Sequence, residues 1–429
     1  MKEILKYITI VLLLFVTSCT QDTSVDSLFE GSVNERAAAL KSEYINVLTS
    51  AENGWIGYYS PNGSSGAYTL LLKFNKDGSV NMKSDWKVGA KDNAITYRLD
   101  KTLKVELVFE TYSILHDIFS ENNNDNEGEF VFNMLEVTTT EISLESKTDN
   151  GYNGEEITNF KIKPATAADW DLGGVYNMVG NLASDPTKSV FRNIIVDGAA
   201  VASYSYDDTS RLATVSYVSD GQLKTVNVGV IVTPEGFDFI KPLDINGAVI
   251  SSFSWNATTS LFEDTPNKAV IKYDNVPGVP LAPYNFGVIQ ANGRYNYLEP
   301  QKSSKAFTNF YDSYTQSLIS NYGVTVTRWY MRDIGSGLSY LDIWTSAGYI
   351  WYDFTYEIKA DGKVYFTLTG DTNWPATYPQ IFDPLIEVMV GSEKGYYIKG
   401  TGGLQGGSQA TFSLINADNP SYETNYYGF

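Results

Sequence analysis

Along most of this chain apolar and polar residues alternate with a period of two, and two stretches break that rhythm with a helical one. In residues 35–52, Ala38, Leu40, Tyr44, Ile45, Val47, Leu48 and Ala51 mostly follow a 3.6-residue stripe. This predicts an amphipathic helix, with Asn34 as N-cap and Gly54 as its stop. A helix with one apolar face must cover something, here the sheet that follows. From Trp55 the period drops to two. Strands are predicted over residues 55–60, 68–75, 79–84, 95–99, 104–110, 129–137, 141–146 and 158–162, each short and carrying β-branched or aromatic residues. Pro61-Asn62-Gly63, Lys76-Asp77-Gly78 and Asn150-Gly151 supply turns between them. Short strands without intervening helices argue an antiparallel sheet, closed as a barrel or folded as a sandwich.

The pattern continues. Residues 166–170 read as a weak helix or turn, then strands are predicted over 190–196, 200–206, 213–217, 223–232, 236–240 and 248–255. The loop Asn275-Val276-Pro277-Gly278-Val279-Pro280 marks a boundary. Beyond it, Phe307, Phe310, Tyr311, Tyr314, Leu318 and Ile319 predict a second helix over 303–322, stopped by Gly323, with strands over 324–331, 338–344, 349–358 and 363–369. The expected fold is mainly β, with two or three antiparallel barrel- or sandwich-like units and one packing helix before the first and last sheet. The division expected is 1–18 signal, 19–34 tether, 35–165 helix plus β, 166–270 β (its own unit or a continuation of the first), and 275–429 helix plus β. Residues 71–82 and 355–366 can be laid over one another at their Asp-Gly turns, which suggests two units of common design. Frequent Asp-Gly hairpins account for the likeness equally well.

The N-terminus changes the picture. Lys2 and Lys6 precede an apolar run over residues 8–16 that is too short to span a ~30 Å hydrocarbon core. Val16-Thr17-Ser18-Cys19 resembles the bacterial lipobox, and Cys19 is the one cysteine in the chain. The resemblance implies a diacylglycerol on Cys19 and anchoring by acyl chains, at ~0.8 kcal/mol per buried CH₂. Losing residues 1–18 removes Lys2, Lys6 and Glu3, leaving 29 basic against 49 acidic side chains, net −20. That sign opposes phosphate binding, so nucleic acid is excluded as a partner. One histidine and one cysteine leave no site built from several His or Cys ligands, and no disulfide framework. No cofactor and no metal are expected. Asp22, Asp26 and Glu30, soon after Cys19, resemble the surface-export signal of Bacteroidetes lipoproteins and point to outer-membrane anchoring, facing outward rather than toward the periplasm.

After that leader come Glu35-Arg36-Ala37-Ala38-Ala39-Leu40, Leu48-Thr49-Ser50-Ala51-Glu52-Asn53-Gly54-Trp55-Ile56-Gly57-Tyr58-Tyr59, Phe74, Asp77-Gly78, Ser84-Asp85 and Thr111-Tyr112-Ser113-Ile114-Leu115-His116. Together they resemble the Bacteroidetes lipoprotein family called domain of unknown function 4302, most clearly over 35–135. Residues 236–243 and Phe253-Ser254-Trp255 add weaker likeness. The resemblance implies a secreted lipoprotein, with SusC/SusD-type uptake systems as neighbours. It implies no activity and no catalytic residues.

Candidate chemistry is sparse. His116 beside Asp117 has the form of a base with a carboxylate partner, but its apolar neighbours suggest a strand end in a core, with Ser113 on the opposite face. Glu121-Asn122-Asn123-Asn124-Asp125-Asn126-Glu127-Gly128-Glu129 is rich in oxygen ligands yet lacks the calcium-loop pattern, and reads as a solvated loop. Ser84-Asp85-Trp86-Lys87 matches Ser-x-x-Lys, but on a strand rather than on the helix that chemistry needs. Aromatics carry more weight: Trp329, Tyr330, Tyr340, Trp344, Tyr349, Trp351, Tyr352, Phe354 and Tyr356 crowd one segment. Strand alternation keeps them from all lying inside, and exposed rings line binding grooves. Trp329, Trp344 and Trp351 are the candidate ligand-binding residues, set against a simple aromatic core. The function expected is a non-enzymatic binding module for a glycan or protein ligand in nutrient uptake. An accessory hydrolase and an adhesive or structural surface protein are the alternatives. For the anchor the expected result is that Cys19→Ser abolishes incorporation of labelled fatty acid and releases the protein from the membrane fraction.

Overall fold

The computed structural model describes residues 32–61, 65–121, 128–148, 158–284, 295–333, 339–373, 379–403 and 410–428. Among these residues the strands form three closed antiparallel barrels of eight strands, each a meander in which sequence neighbours pair and the last strand returns to the first. The first holds β1 (Trp55–Tyr59), β2 (Tyr68–Phe74), β3 (Ser79–Ser84), β4 (Lys91–Lys101), β5 (Val105–Phe109), β6 (Val131–Val137), β7 (Ile142–Ser146) and β8 (Asn159–Pro164). The second holds β9 (Arg192–Val196), β10 (Ala199–Asp207), β11 (Leu212–Ser219), β12 (Gln222–Thr233), β13 (Gly236–Ile245), β14 (Ala248–Asn256), β15 (Leu261–Asp264) and β16 (Ala269–Tyr273). The third holds β17 (Tyr295–Leu298), β18 (Val326–Asp333), β19 (Ser339–Thr345), β20 (Gly348–Ile358), β21 (Val364–Thr372), β22 (Tyr396–Gly403), β23 (Ala410–Asn416) and β24 (Glu423–Gly428).

Each barrel is filled by its own inward side chains, as eight strands enclose just enough room for them. Trp55, Tyr59, Phe109 and Phe132 fill the first, Phe237, Phe253 and Phe262 the second, and Phe354, Phe412 and Tyr426 the third. In β3 the alternation is direct: Val80, Met82 and Ser84 are buried, while the residues between them are half-buried.

The helices are α1 (Val33–Leu48), α2 (Ile114–Ser120), α3 (Gly173–Leu182), α4 (Lys305–Tyr322) and α5 (Asp383–Val390). The cap of α1 is Ser32 rather than Asn34: its hydroxyl accepts from Glu35 N, and the Glu35 carboxylate accepts from Ser32 N at 2.7 Å. The helix docks on the first barrel through Trp55, whose Nε1 donates to Leu48 O at 2.7 Å. Between them Gly54 turns the chain at φ +74°, where a Cβ would meet Leu72 O at 2.4 Å. Ser304 caps α4 and Gly323 ends it, with β17 laid down before this helix. The two Asp-Gly hairpins are not equivalent in place. Asp77-Gly78 joins the second and third strands of its barrel, and Asp361-Gly362 joins the fourth and fifth of its own. All three barrels share the meander order, whereas the local likeness is one of turn chemistry.

The first two barrels meet through a buried ion pair. Arg211 Nη1 lies 3.0 Å from Asp85 Oδ2, with side chains 3% and 0% exposed. Arg211 Nη2 donates to Asp85 O at 2.9 Å, Thr69 N donates to Asp85 Oδ1 at 2.7 Å, and the guanidinium lies over the Tyr68 ring at 5.1 Å. Beside the pair, Ala67 N donates to Val230 O at 3.0 Å. Gly229 permits the approach, since a Cβ there would sit 2.4 Å from Ser65 O. The second and third barrels are joined by Val190 N donating to Pro420 O at 2.9 Å, Gly400 N donating to Ala282 O at 2.8 Å, and the edge-to-face rings of Phe191 and Tyr397. Removing one charge from a buried pair strands the other, at a cost of about 3–5 kcal/mol. Asp85→Asn is therefore expected to lower the first urea-unfolding transition by that order, with loss of the fixed arrangement of barrels one and two in small-angle scattering.

Candidate functional site on the third barrel

The register of strands β17 to β20 and β24 decides which rings face out. Trp329, Met331, Leu341, Ile343, Ile350 and Tyr352 point into the core. Their neighbours point outward and align across five strands: Tyr427 opposite Tyr297, Tyr297 opposite Tyr330, Tyr330 opposite Asp342, and Asp342 opposite Trp351. A second row places Tyr295 opposite Arg332 and Arg332 opposite Tyr340, and Trp344 lies opposite Tyr349. Residues far apart in sequence thus form one aromatic surface.

The rings support one another. Tyr297 stacks on Tyr427 at 5.3 Å, and Tyr340 meets Trp351 edge-on at 5.3 Å. Trp344, 43% exposed, lies 5.1 Å from Tyr349, and its Nε1 donates to Tyr330 Oη at 2.7 Å. Beneath them runs a polar network. Arg332 Nε lies 2.9 Å from Asp342 Oδ2, Tyr349 Oη donates to Asp342 Oδ1 at 2.9 Å, and Arg332 Nη2 donates to Tyr349 Oη at 3.2 Å. The Arg332 guanidinium also covers the Tyr340 ring at 5.0 Å. Burial, reinforced by the Asp342 carboxylate, pushes the Tyr349 phenol well above its ordinary range, so it remains a donor. The Arg332–Asp342 pair cancels its own charge, and the surface left to a ligand is made of ring faces rimmed by hydroxyls, with the exposed Arg328 opposite Trp344 as a cation at its edge.

Of the three tryptophans picked from sequence, Trp344 and Trp351 belong to this surface. Trp329 does not: it is 3% exposed inside the barrel and edge-on to Phe382 at 6.0 Å. Crowding of aromatics in sequence carries no inside-or-outside label, and a register shift between Val326 and Arg328 hides the phase of β18. Tyr295, Tyr297 and Tyr427 were not picked out. The Tyr-x-Tyr spacing at 295–297 is the signal that marks one face of a strand.

The remaining candidates are structural. His116 stands on α2 rather than on a strand, and the helix brings Ser113 Oγ to 3.0 Å from its Nδ1 instead of placing the two on opposite faces. Ser113 is only 2% exposed, and the His116 ring stacks on Phe130 at 4.2 Å. Asp117 turns instead to Trp86 Nε1 and Lys87 Nζ, each at 2.9 Å. That contact also occupies the lysine of Ser84-Asp85-Trp86-Lys87. Asn122 through Glu127 lie outside the described residues, as does Cys19. Glu129 is described, and its carboxylate accepts from Phe130 N, Val131 N, Thr148 N and Thr148 Oγ1 at 2.6–2.9 Å. Those bonds hold β6 to the end of β7. Among the described residues no cluster of His, Cys, Asp or Glu is arranged to hold a metal.

The model of the family described as domain of unknown function DUF4302 matches residues 25–257, and the chain belongs to that family. The matched stretch covers the first barrel and most of the second, so the aromatic surface lies outside it. No curated protein matches the chain. Among solved structures, a tryptophan-to-alanine mutant of the vaccine antigen transferrin binding protein B from Haemophilus parasuis Hp5 aligns at 9% identity over 87% of this chain and 73% of that one. Its TM-score is 0.13, at which the alignment carries no argument about fold or function.

Burial depresses the His116 pKa below its ordinary 6.5, with Asp92 opposing, so the folded chain resists the proton more than the unfolded one does. This contribution to stability is lost as pH falls through 6.5 toward the lower folded value. As the one histidine in the chain, His116 gives a single imidazole resonance. Its NMR titration midpoint is expected below 6.5 in the folded protein.

Proposed function

We propose that this member of the DUF4302 family is a lipid-anchored, non-enzymatic surface protein. Its third barrel binds a glycan on the face formed by Trp344, Trp351, Tyr340 and Tyr349. The observation that carries this reading is the combination of outward rings with a polar network neutralised from within. Sugar rings present apolar C–H faces and a periphery of hydroxyls, which suits ring faces rimmed by phenols and indoles. A hydrolase would need carboxylates free to reach the glycosidic bond. On this face Asp342 and Asp353 are 0% and 6% exposed, and Asp342 is already held by Arg332 and Tyr349.

Anchoring through Cys19 at the outer membrane, facing outward, is part of the same proposal and rests on the lipobox and the acidic residues after it. Such a protein would hold glycan at the cell surface for a SusC/SusD-type uptake system. Among the described residues no helix is long and apolar enough to cross a membrane. On a glycan array the detergent-purified protein is expected to be retained by neutral oligosaccharides. Trp344→Ala and Trp351→Ala should each weaken that binding roughly tenfold, the worth of one aromatic contact. Retention by peptides alone, or glycan retention untouched by both substitutions, would overturn the assignment.

A further inference from the structure

The end of the first barrel away from the Asp85–Arg211 joint departs in charge from the rest of the chain. β3 ends at Ser84, beside that joint, and β4 carries the chain back over Lys91–Lys101 to the other end of the barrel. There the first turns of α1 lie against the β4–β5 turn, and a groove of about 530 Å³ runs between them. In a chain of net charge −19 this groove is lined by Arg36, Lys41 and Lys101 and by no carboxylate. The acids nearby face elsewhere. Asp100 pairs with Arg98 at 2.5 Å, the Glu35 carboxylate accepts from Ser32 N at 2.7 Å, and Glu43 is exposed outside the groove. Lys101 Nζ donates to Leu103 O at 3.0 Å, and among the described residues neither Lys41 nor Lys101 enters an ion pair.

Beside these cations stand apolar side chains that the fold does not use. Leu103, in the β4–β5 turn, is 96% exposed, and Val33, at the start of α1, is 71% exposed. The turn is closed by its backbone, Thr102 N donating to Lys104 O at 3.2 Å, so a leucine there serves nothing inside the barrel. One exposed leucine alone is ordinary. This one lies between lysines, next to the point where the described chain begins. Residues 20–31 are all that separate Cys19 from Ser32, a reach of at most about 45 Å when fully extended. Acyl chains on Cys19 therefore hold this end, before any other described part, within reach of the bilayer and raise its effective concentration there. A bilayer surface accepts apolar side chains at the headgroup–acyl boundary and cations against lipid phosphates.

We propose that this end of the first barrel docks on the lipid bilayer that holds the Cys19 acyl chains, with Leu103 and Val33 entering its headgroup layer and Arg36, Lys41 and Lys101 against its phosphates. The charge of the chain as a whole opposes such a contact, which confines it to this end and makes it depend on the anchor. The contact turns the Asp85–Arg211 joint, and the second barrel attached there, away from the membrane. The proposal rests on the anchor at Cys19 and does not depend on the glycan reading.

The test uses the lipidated full chain reconstituted into vesicles of phosphatidylethanolamine and phosphatidylglycerol, with and without a lipid spin-labelled high on its acyl chain. Cys19 is the one cysteine and its thiol is taken by the lipid, so Leu103→Cys supplies a single site for a fluorophore. Ile358→Cys, at a position 51% exposed on the third barrel, is the control. Spin-labelled lipid is expected to quench the probe at 103 and to leave the probe at 358 bright. Adding Lys41→Glu/Lys101→Glu to Leu103→Cys should abolish that quenching while the protein still floats with the vesicles. Quenching at 103 no stronger than at 358, in protein that floats, overturns the proposal and leaves the anchor standing. Quenching at 103 untouched by the charge reversal overturns it as well, since the cations then have no part. Protein that does not float with the vesicles removes the anchor, and this proposal with it.

Discussion

The architecture depends on each sheet closing upon itself by backbone hydrogen bonds. Trp55 pairs with Pro164, Val196 with Ala269, and Leu298 with Tyr426, so the first and last strands of every barrel are neighbours. An open edge of unpaired N–H and C=O groups invites association with other chains, and closure removes it. Closure also sorts side chains: each strand has one face in a packed interior and one outside, and no residue escapes the choice. That is why Trp329 points into the core and Tyr330, next to it, lies on the other side of the sheet under Trp344. The outward rings of the third barrel follow from having more aromatics on these strands than the interior accepts.

Because each barrel has its own core, relations between barrels rest on the joints, and the two joints differ in kind. At the first, the charges of Asp85 and Arg211 are dry and held by each other and by backbone. Gly229 lets the backbones approach closely there, since a Cβ would sit 2.4 Å from Ser65 O. Such a pair is a weak source of stability against a well-packed apolar alternative, yet it is intolerant of losing one member. At the second joint backbone bonds and the Phe191–Tyr397 contact hold the rims together around a polar cavity.

Much of this was legible from alternation and turn residues. The strands of the first barrel, most of those of the second and the helix over 305–322 fall where period and stop signals put them. The short helices did not show. α2, α3 and α5 have 7, 10 and 8 residues, too few turns for a 3.6-residue stripe to stand out from an apolar run. Reading residues 113–119 as a strand also misplaced Ser113 relative to His116, since three residues separate faces on a strand and unite them on a helix. β22 to β24 were overlooked too. The glycines that crowd β22 at Gly400, Gly402 and Gly403 interrupt its alternation.

What the sequence determines alone is whatever depends on neighbours a few residues apart. That includes strand periodicity, Asp-Gly turns, net charge, and the lipobox-like run ending at Cys19. What only the tertiary structure decides is whatever depends on register between distant strands: the row from Tyr427 through Tyr297, Tyr330 and Asp342 to Trp351, and the pairing of Asp85 with Arg211. The physical reason is that a one-residue slip or bulge turns every later side chain on a strand to its other face. Local composition does not record where such a shift falls; the closure of the barrel does.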